Sequence, residues 1–276
     1  MPPLHRLRPT PDPARDLTPG PLPRGPGCRH RVAALTLAAA LLAAGLAQAQ
    51  GVCASDGQPS PRRLVERFIG ADCADCWQQP GGPAPQAADL VLDWIVPGRQ
   101  GDDAPLAGAA SRDALTRLQA LHRPRPGRTA RHVLPVATAA SDAPALRVAH
   151  GVPLGGYLGT AIEYRPPAPA PGRTGDPVSL WLVLVEALPA GTEGSPVARF
   201  LVRNTLQVAW NGHSLLSDAE QPEARGLRER RPMQIPEGAV PERLLVAGWV
   251  QDARGRVLAA ARSVCVPAPE APATER

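Results

Sequence analysis

The fold is decided by one stretch, residues 64–77, which reads Leu64-Val65-Glu66-Arg67-Phe68-Ile69-Gly70-Ala71-Asp72-Cys73-Ala74-Asp75-Cys76-Trp77. Its first part is a short run of large apolar side chains, typical of a mostly buried strand, and Gly70 ends that run. Two cysteines follow the turn, Cys73 and Cys76, with two residues between them. This order predicts a buried strand with a pair of cysteines at its end.

The residues after the second cysteine disfavour a long helix. A redox-active cysteine pair is usually followed by one, because the N-terminal end of a helix stabilises a thiolate. Residues 77–85 read Trp-Gln-Gln-Pro-Gly-Gly-Pro-Ala-Pro. Proline costs about 3 kcal/mol inside a helix and glycine about 1 kcal/mol. We therefore expect no more than one helical turn after Cys76, which counts against catalysis.

The first 49 residues have the features of an export signal. A Pro-rich preface leads to a basic segment at residues 29–31, an apolar run at 32–46 and the small-x-small pattern Ala47-Gln48-Ala49. We expect cleavage after Ala49 and a periplasmic or secreted mature chain. The apolar run is shorter than the ~20 residues of a membrane span, so no transmembrane segment is expected in the mature chain. A lipoprotein beginning at Cys53 is disfavoured, because Val52 stands where a small residue is expected.

Charge argues against nucleic acid as a partner. All 30 basic residues of the chain are Arg, and its formal net charge is +5. Residues 1–49 contain six of these Arg and two of the 25 acidic residues, so the remainder has 24 basic and 23 acidic residues, or +1. The mature chain is therefore close to neutral and lacks the basic surplus of a nucleic-acid-binding protein.

Four cysteines remain after removal of the leader, because Cys28 leaves with it. In an oxidising compartment they allow three pairings. Cys73 and Cys76 are close enough in sequence to pair locally. Cys53 and Cys265 lie near the two ends of the mature chain, and the termini of a domain are often near each other. We predict a structural Cys53–Cys265 disulfide beside the local pair.

The rest of the chain reads as short elements separated by Pro and Gly. Apolar runs predict strands at 63–69, 88–96, 132–137, 145–149, 158–164, 180–186, 198–210, 244–251 and 256–266, and a helix that begins after Ser111. Residues 123–131 read as a solvated basic linker, and residues 214–238 as polar and irregular. The predicted organisation is a leader (1–49), an N-terminal region (50–165), a Pro-rich linker (166–177), a β-rich region (178–266) and a disordered tail (267–276).

These landmarks resemble a family of secreted bacterial proteins of unknown function with a thioredoxin-like N-terminal region. The family's "VELFTSQGCSSC"-type segment resembles residues 64–76, and its early cysteine stands where Cys53 does. Its β-rich C-terminal half resembles Arg203-Asn204-Thr205-Leu206, Trp210-Asn211-Gly212 and the hairpin at 244–265. The resemblance implies an α/β fold, thioredoxin-like first and β-rich afterwards. This chain departs from the family in Trp77, where Pro is usual, and in Arg203, where His is frequent.

The function that the Cys73-Ala74-Asp75-Cys76 pair indicates is thiol–disulfide exchange in the periplasm. Cys73 is the candidate nucleophile and Cys76 the candidate resolving thiol. Pro153, in the stretch Gly151-Val152-Pro153, resembles the cis-proline that faces the cysteine pair in thioredoxins. The negative charges of Asp72 and Asp75 disfavour a neighbouring thiolate.

Two alternatives stay open. In the first, Cys73–Cys76 is an inert disulfide in a binding or structural module that contacts another envelope protein. In the second, the two thiolates and His132 or His150 hold copper or zinc. No cofactor is predicted, because the sequence contains neither a nucleophile-elbow motif nor a phosphate-binding or dinucleotide glycine motif.

Overall fold

The structure is a computed structural model that describes residues 53–137, 146–166, 176–210 and 226–265. The predicted leader and tail lie outside the described residues. The strands in chain order are β1 (Cys53–Ala54), β2 (Arg63–Gly70), β3 (Asp89–Val96), β4 (Thr129–Pro135), β5 (Leu146–Leu154), β6 (Tyr157–Tyr164), β7 (Val178–Leu188), β8 (Arg199–Trp210), β9 (Leu227–Gln234), β10 (Leu244–Asp252) and β11 (Val257–Arg262). The α-helices are α1 (Ala74–Trp77) and α2 (Arg112–Ala120), and short 3₁₀ turns cover Gly101–Asp103, Ala107–Ala109 and Pro241–Arg243.

Most strands lie in one seven-stranded sheet of order β11-β10-β7-β8-β3-β2-β4. The pairs β2–β3 and β3–β8 are parallel, and all other neighbours in this sheet are antiparallel. Strands buried on both faces have near-continuous apolar sequences. All eight residues of β3 are buried, which explains why its sequence gave a clear strand prediction.

A smaller sheet of order β1-β5-β6-β9 packs against β7 and β10 of the larger one. The two sheets approach closely at Gly248, where an added Cβ would lie 2.9 Å from a Val148 methyl carbon and 3.0 Å from Ile162 Cδ1. On the opposite face of the large sheet, α2 contributes Ala114 and Leu118 to a core that contains Trp181 and Trp249.

Local signals placed both helices correctly. Helix α1 has a single turn, as the prolines and glycines after Trp77 predicted. Helix α2 begins after Ser111, whose Oγ accepts a hydrogen bond of 3.0 Å from the backbone N–H of Asp113. Such an N-cap satisfies one of the free donors of the first helical turn.

One prediction about local structure is wrong. Residues 214–238 were expected to be irregular, yet the edge strand β9 lies within this range and pairs with β6 over eight residues. Its sequence is Leu-Arg-Glu-Arg-Arg-Pro-Met-Gln, and only Met233 is buried. An edge strand that buries so little side chain carries almost no hydrophobic periodicity from which it could be predicted.

The fold is mostly β, with a mixed sheet. Of the described residues, 51% are in strands and 12% in helices. The protein therefore contains much less helix than the predicted α/β class implies. Strands from before and after the predicted linker at 166–177 share both sheets, because β3 pairs with β8 and β6 pairs with β9. Among the helices of the described segments, none has the length and hydropathy to cross a membrane.

Candidate functional site

Both predicted disulfides, Cys73–Cys76 and Cys53–Cys265, are present. The first lies directly after β2, where the Cys73 backbone N–H donates to Gly70 O at 3.0 Å and the Cys76 N–H donates to Cys73 O at 3.1 Å. These bonds form a tight turn into α1. Cys73 is 8% exposed and Cys76 4% exposed, so neither sulfur has free access to solvent.

Cys73 lines a cleft of about 630 Å³. The cleft is bordered by residues from three segments, 70–75, 97–99 and 125–128. Its charged side chains are Asp72, Asp75, Arg99, Arg125 and Arg128. Cys76 is not part of the lining. The lining of the cleft therefore includes one cysteine of the pair, together with charged residues of both signs.

The third segment, residues 125–128, lies within a stretch (123–131) that the sequence predicted to be a solvated basic linker. Residues 123–131 are exposed as predicted, apart from the half-buried Pro126, and the stretch also borders the cysteine cleft, where Gly70 N–H donates to Arg128 O at 2.8 Å. Two prolines line the cleft with Cys73, Pro97 and Pro126. Pro153 lies in β5 of the smaller sheet. Its predicted cis bond is not found, because the described residues contain no cis peptide bond.

Asp72 joins the cysteine turn to the loop after β3. Its carboxylate accepts hydrogen bonds from the backbone N–H groups of Arg99, at 2.7 Å, and Gln100, at 3.3 Å. A Cβ on Gly98 would overlap this carboxylate, so only glycine fits there without displacement. The sequence indicated Asp72 as a charge that opposes a thiolate, but its main contacts are with backbone donors.

Arg199 holds the C-terminal end of α1. This fully buried guanidinium donates to the carbonyl oxygens of Trp77 and Gln79, both at 2.6 Å, and to Ser195 Oγ at 3.0 Å. It also lies over the Trp77 ring, 4.9 Å from the centroid. Carbonyls at the end of a helix have no partner within the helix, and arginine commonly satisfies them. The indole N–H of Trp77 donates to Glu193 O at 2.7 Å. The helix is therefore held by the loop before β8 and by the first residue of β8.

A buried carboxylate connects this support to the central strands. Asp93 of β3 lies 2.6 Å from the Arg67 guanidinium of β2 and accepts a 2.7 Å hydrogen bond from the Phe200 N–H of β8. Its other oxygen lies 3.5 Å from Arg199. Burial lowers the pKa of Arg199 below its ordinary value, and the charge of Asp93 opposes that shift. Sequence reasoning missed Arg199, since an isolated arginine at the start of a strand gives no signal.

The histidines do not join the Cys73–Cys76 pair. Among the described residues, the cysteine–histidine group with metal-ligand spacing contains Cys53, Cys265 and His150. His132 lies in β4 opposite Glu66. The predicted copper or zinc site at Cys73 and Cys76 therefore lacks its histidine in the described part of the chain.

Comparisons with known proteins do not identify a family. No family model matches the chain, and no curated protein matches it. Among solved structures, HBP35 of Porphyromonas gingivalis is similar at a TM-score of 0.42 and 10% sequence identity, over 80% of each chain. Similarity at this level carries no argument about fold or function. The resemblance to secreted thioredoxin-like proteins stays a prediction.

Proposed function

We propose that this protein is an exported thiol–disulfide exchange protein that acts through Cys73 and Cys76. The observation that carries the proposal is the placement of the pair, with Cys73 in the lining of a cleft and Cys76 buried and outside that lining. Support for a thioredoxin-like arrangement comes from the element order β2-α1-β3-α2-β4, with the cysteine pair after β2 and a parallel β2–β3 pair. The export signal and the two disulfides support an oxidising compartment outside the cytoplasm.

The reaction is a reversible exchange of one disulfide for another. A thiolate of a substrate dithiol attacks Cys73 Sγ, which forms a mixed disulfide and releases Cys76 as a thiolate. The second substrate thiolate then attacks the substrate sulfur of that mixed disulfide and releases Cys73 as a thiolate. The substrate leaves as a disulfide, this chain is left as a dithiol, and protons from the medium neutralise the thiolates according to their pKa values.

The charges around the cleft favour an anionic sulfur in both steps. Arg99, Arg125 and Arg128 are exposed side chains on its border, against the carboxylates of Asp72 and Asp75. Positive charge near a thiolate lowers the pKa of a thiol. Because Asp72 accepts two backbone hydrogen bonds, the arginines are the charges least engaged by the protein backbone. They are also suited to bind an acidic segment of the substrate.

A second candidate function has its own support. The low exposure of both sulfurs, together with the fixation of α1 by Arg199 and Trp77, is typical of an inert structural disulfide. In that case the chain is a binding or structural module of the envelope, and the cleft with its arginines is a surface for a partner rather than a catalytic site.

A trapping experiment distinguishes the two candidates. In the reverse direction, the Cys73 thiolate attacks a substrate disulfide and Cys76 resolves the mixed disulfide, so in a Cys76→Ser variant the exchange stops at the mixed disulfide. We expect this variant, in reduced form and incubated with an excess of a disulfide-linked peptide dimer, to release one peptide thiol and accumulate a covalent peptide adduct on Cys73 that dithiothreitol removes. The matched control is Cys73→Ser, which leaves only the buried Cys76.

Equal adduct formation by the two variants would refute the assigned roles. No adduct with either variant, together with a thiol pKa of Cys73 at the ordinary value of about 8.5, would refute exchange and favour the binding module.

A further inference from the structure

The second disulfide lies against a buried histidine. Cys53 and His150 are directly opposite each other in the antiparallel pair β1–β5, so their side chains are on the same face of the sheet. The Sγ atoms of Cys53 and Cys265 and a ring nitrogen of His150 all lie within 4.8 Å of one another. Cys53 and His150 are buried, whereas Cys265 is exposed, so the group has one side open to solvent.

The imidazole of His150 is prepared in the manner of a metal ligand. Its Nδ1 lies 2.9 Å from Gly151 O, and a carbonyl oxygen only accepts, so Nδ1 carries the proton. Nε2 then has a free lone pair, and it is buried without a hydrogen-bond partner among the described residues. His150 is only 5% exposed. An unsatisfied buried acceptor is unfavourable, and a metal-binding histidine usually donates its other N–H to a carbonyl or carboxylate, as Nδ1 of His150 does here.

Burial also keeps this histidine in the ligand form. It lowers the pKa of His150 below its ordinary value, and the hydrogen bond to Gly151 opposes that shift. The neutral imidazole is the form that binds metal ions. A cluster of three potential ligand atoms and an unsatisfied buried nitrogen are thus two independent observations at the same place.

We propose that reduction of the Cys53–Cys265 disulfide opens a binding site for a thiophilic metal ion, Zn²⁺ or Cu⁺, held by Cys53, Cys265 and His150. A dithiol reductant supplies the two electrons that break the S–S bond, is itself oxidised to a disulfide, and leaves a thiol on each cysteine. The metal ion then displaces one proton from each thiol and binds the two thiolates and a nitrogen of the imidazole. The exposed side at Cys265 leaves a further position for water or an exogenous ligand.

The dimensions agree with such a site. Metal–ligand bonds of about 2.3 Å to sulfur and 2.0 Å to nitrogen place tetrahedral ligand atoms roughly 3.5–3.8 Å apart. The three atoms already lie within 4.8 Å of one another, so after reduction the main change is a separation of the two sulfurs. Because the metal ion needs both cysteines as thiolates, it cannot bind while the disulfide is present. The site therefore binds no metal ion under oxidising conditions.

The test uses the full chain with Cys28→Ser, Cys73→Ser and Cys76→Ser, in which only Cys53 and Cys265 remain as cysteines. Circular dichroism of its oxidised form checks that it folds. After reduction with a phosphine and removal of the reductant, Zn²⁺ is titrated against a chromophoric chelator, and Co²⁺ is titrated to detect thiolate-to-metal charge-transfer bands. We expect one ion per chain in the reduced form and none in the oxidised form.

A substitution of His150 tests the proposed third ligand. His150→Gln should weaken Zn²⁺ binding by more than the roughly 10- to 100-fold that loss of a supporting hydrogen bond costs. The matched control is His132→Gln in β4, which should leave the affinity unchanged. If the triple variant does not fold, the reduced parent chain is compared with Cys53→Ser, which should bind one ion fewer.

The proposal is overturned if the reduced chain binds no stoichiometric metal ion. Unchanged affinity in His150→Gln, or an identical stoichiometry in Cys53→Ser, would overturn it as well. None of these results depends on exchange activity at Cys73, so this proposal and the proposed function fail separately.

Discussion

Replacement of Arg199 by Met tests whether this residue controls the cysteine pair. Four charged hydrogen bonds would be lost: two to Trp77 O and Gln79 O at 2.6 Å, one to Ser195 Oγ at 3.0 Å, and a long one to Asp93 at 3.5 Å. Each hydrogen bond to a charged group contributes about 1.5–3 kcal/mol. Part of this loss is offset, because the variant no longer has to bury a charged guanidinium away from water. We therefore expect the free energy of unfolding to fall by about 3–5 kcal/mol.

The effect on the disulfide follows from the position of the lost bonds. Cys73 is only 8% exposed, so attack on its sulfur, by a small reductant or by a substrate thiolate, is faster when the turn and α1 open locally. If as little as about 1.4 kcal/mol of the lost stabilisation belongs to this opening, the reduction rate rises tenfold. We expect dithiothreitol to reduce Cys73–Cys76 at least tenfold faster in Arg199→Met than in the parent, as followed by alkylation and mass spectrometry.

Arg117→Met is the matched control. Arg117 is also fully buried, but it donates to Glu66 and Gln251 and lies 4.8 Å from the ring centroids of Trp181 and Trp249, and none of these residues belongs to α1. It should lose comparable stability without faster reduction of Cys73–Cys76. Equal acceleration in both variants would show that reduction follows global stability, and no acceleration in Arg199→Met would refute the reasoning.

Three further predictions concern stability. Arg117→Met leaves the buried Glu66 carboxylate unpaired and should lower the free energy of unfolding, measured by urea denaturation, by about 3–5 kcal/mol. The double variant with Glu66→Leu should recover most of this loss, and additive losses in the double variant would contradict the prediction. Gly98→Ala places a new Cβ against the Asp72 carboxylate and should lower the free energy of unfolding by about 1–3 kcal/mol. An unchanged denaturation midpoint would show that the loop after β3 moves away without cost. The hydrogen bond from Arg63 lowers the pKa of Asp89 in the folded state. A lowered carboxyl pKa stabilises the fold above the unfolded value of about 3.9, and this contribution is lost as the pH falls through the folded pKa. The stability difference between the parent and Arg63→Gln should therefore be present at pH 7 and shrink below about pH 4, and a difference independent of pH would contradict the pairing.

The elements that the sequence predicted correctly have local causes. Strand β3 is mostly apolar because both of its faces are covered, and β2 is predicted by its apolar residues on either side of the buried Glu66 and Arg67. The N-cap at Ser111 and the turn before β11 depend on residues a few positions apart. The missed strand β9 buries only Met233, so its formation depends on pairing with β6 rather than on its own pattern.

In the candidate site, too, the features with local causes were predicted from the sequence and those that depend on strand pairing were not. The spacing of Cys73 and Cys76 and the prolines after them predicted a local disulfide and a single helical turn, and both are present. Pro153 was predicted to face the cysteine pair but lies in the smaller sheet, because a tripeptide resemblance carries no information about which sheet a strand joins. The prolines that line the cleft are Pro97, just after β3, and Pro126, shortly before β4, and both of these strands pair with β2.

Features that depend on neighbouring residues could be predicted from the sequence: a buried strand, a cysteine pair at its end and a helix of a single turn. Tertiary structure decided which distant residues surround these features. Arg199 is separated from Trp77 by 122 residues and His150 from Cys53 by nearly a hundred, and each reaches its partner only through strand pairing and burial. Such contacts depend on the order and register of strands in a sheet, and no local pattern of side chains encodes that order.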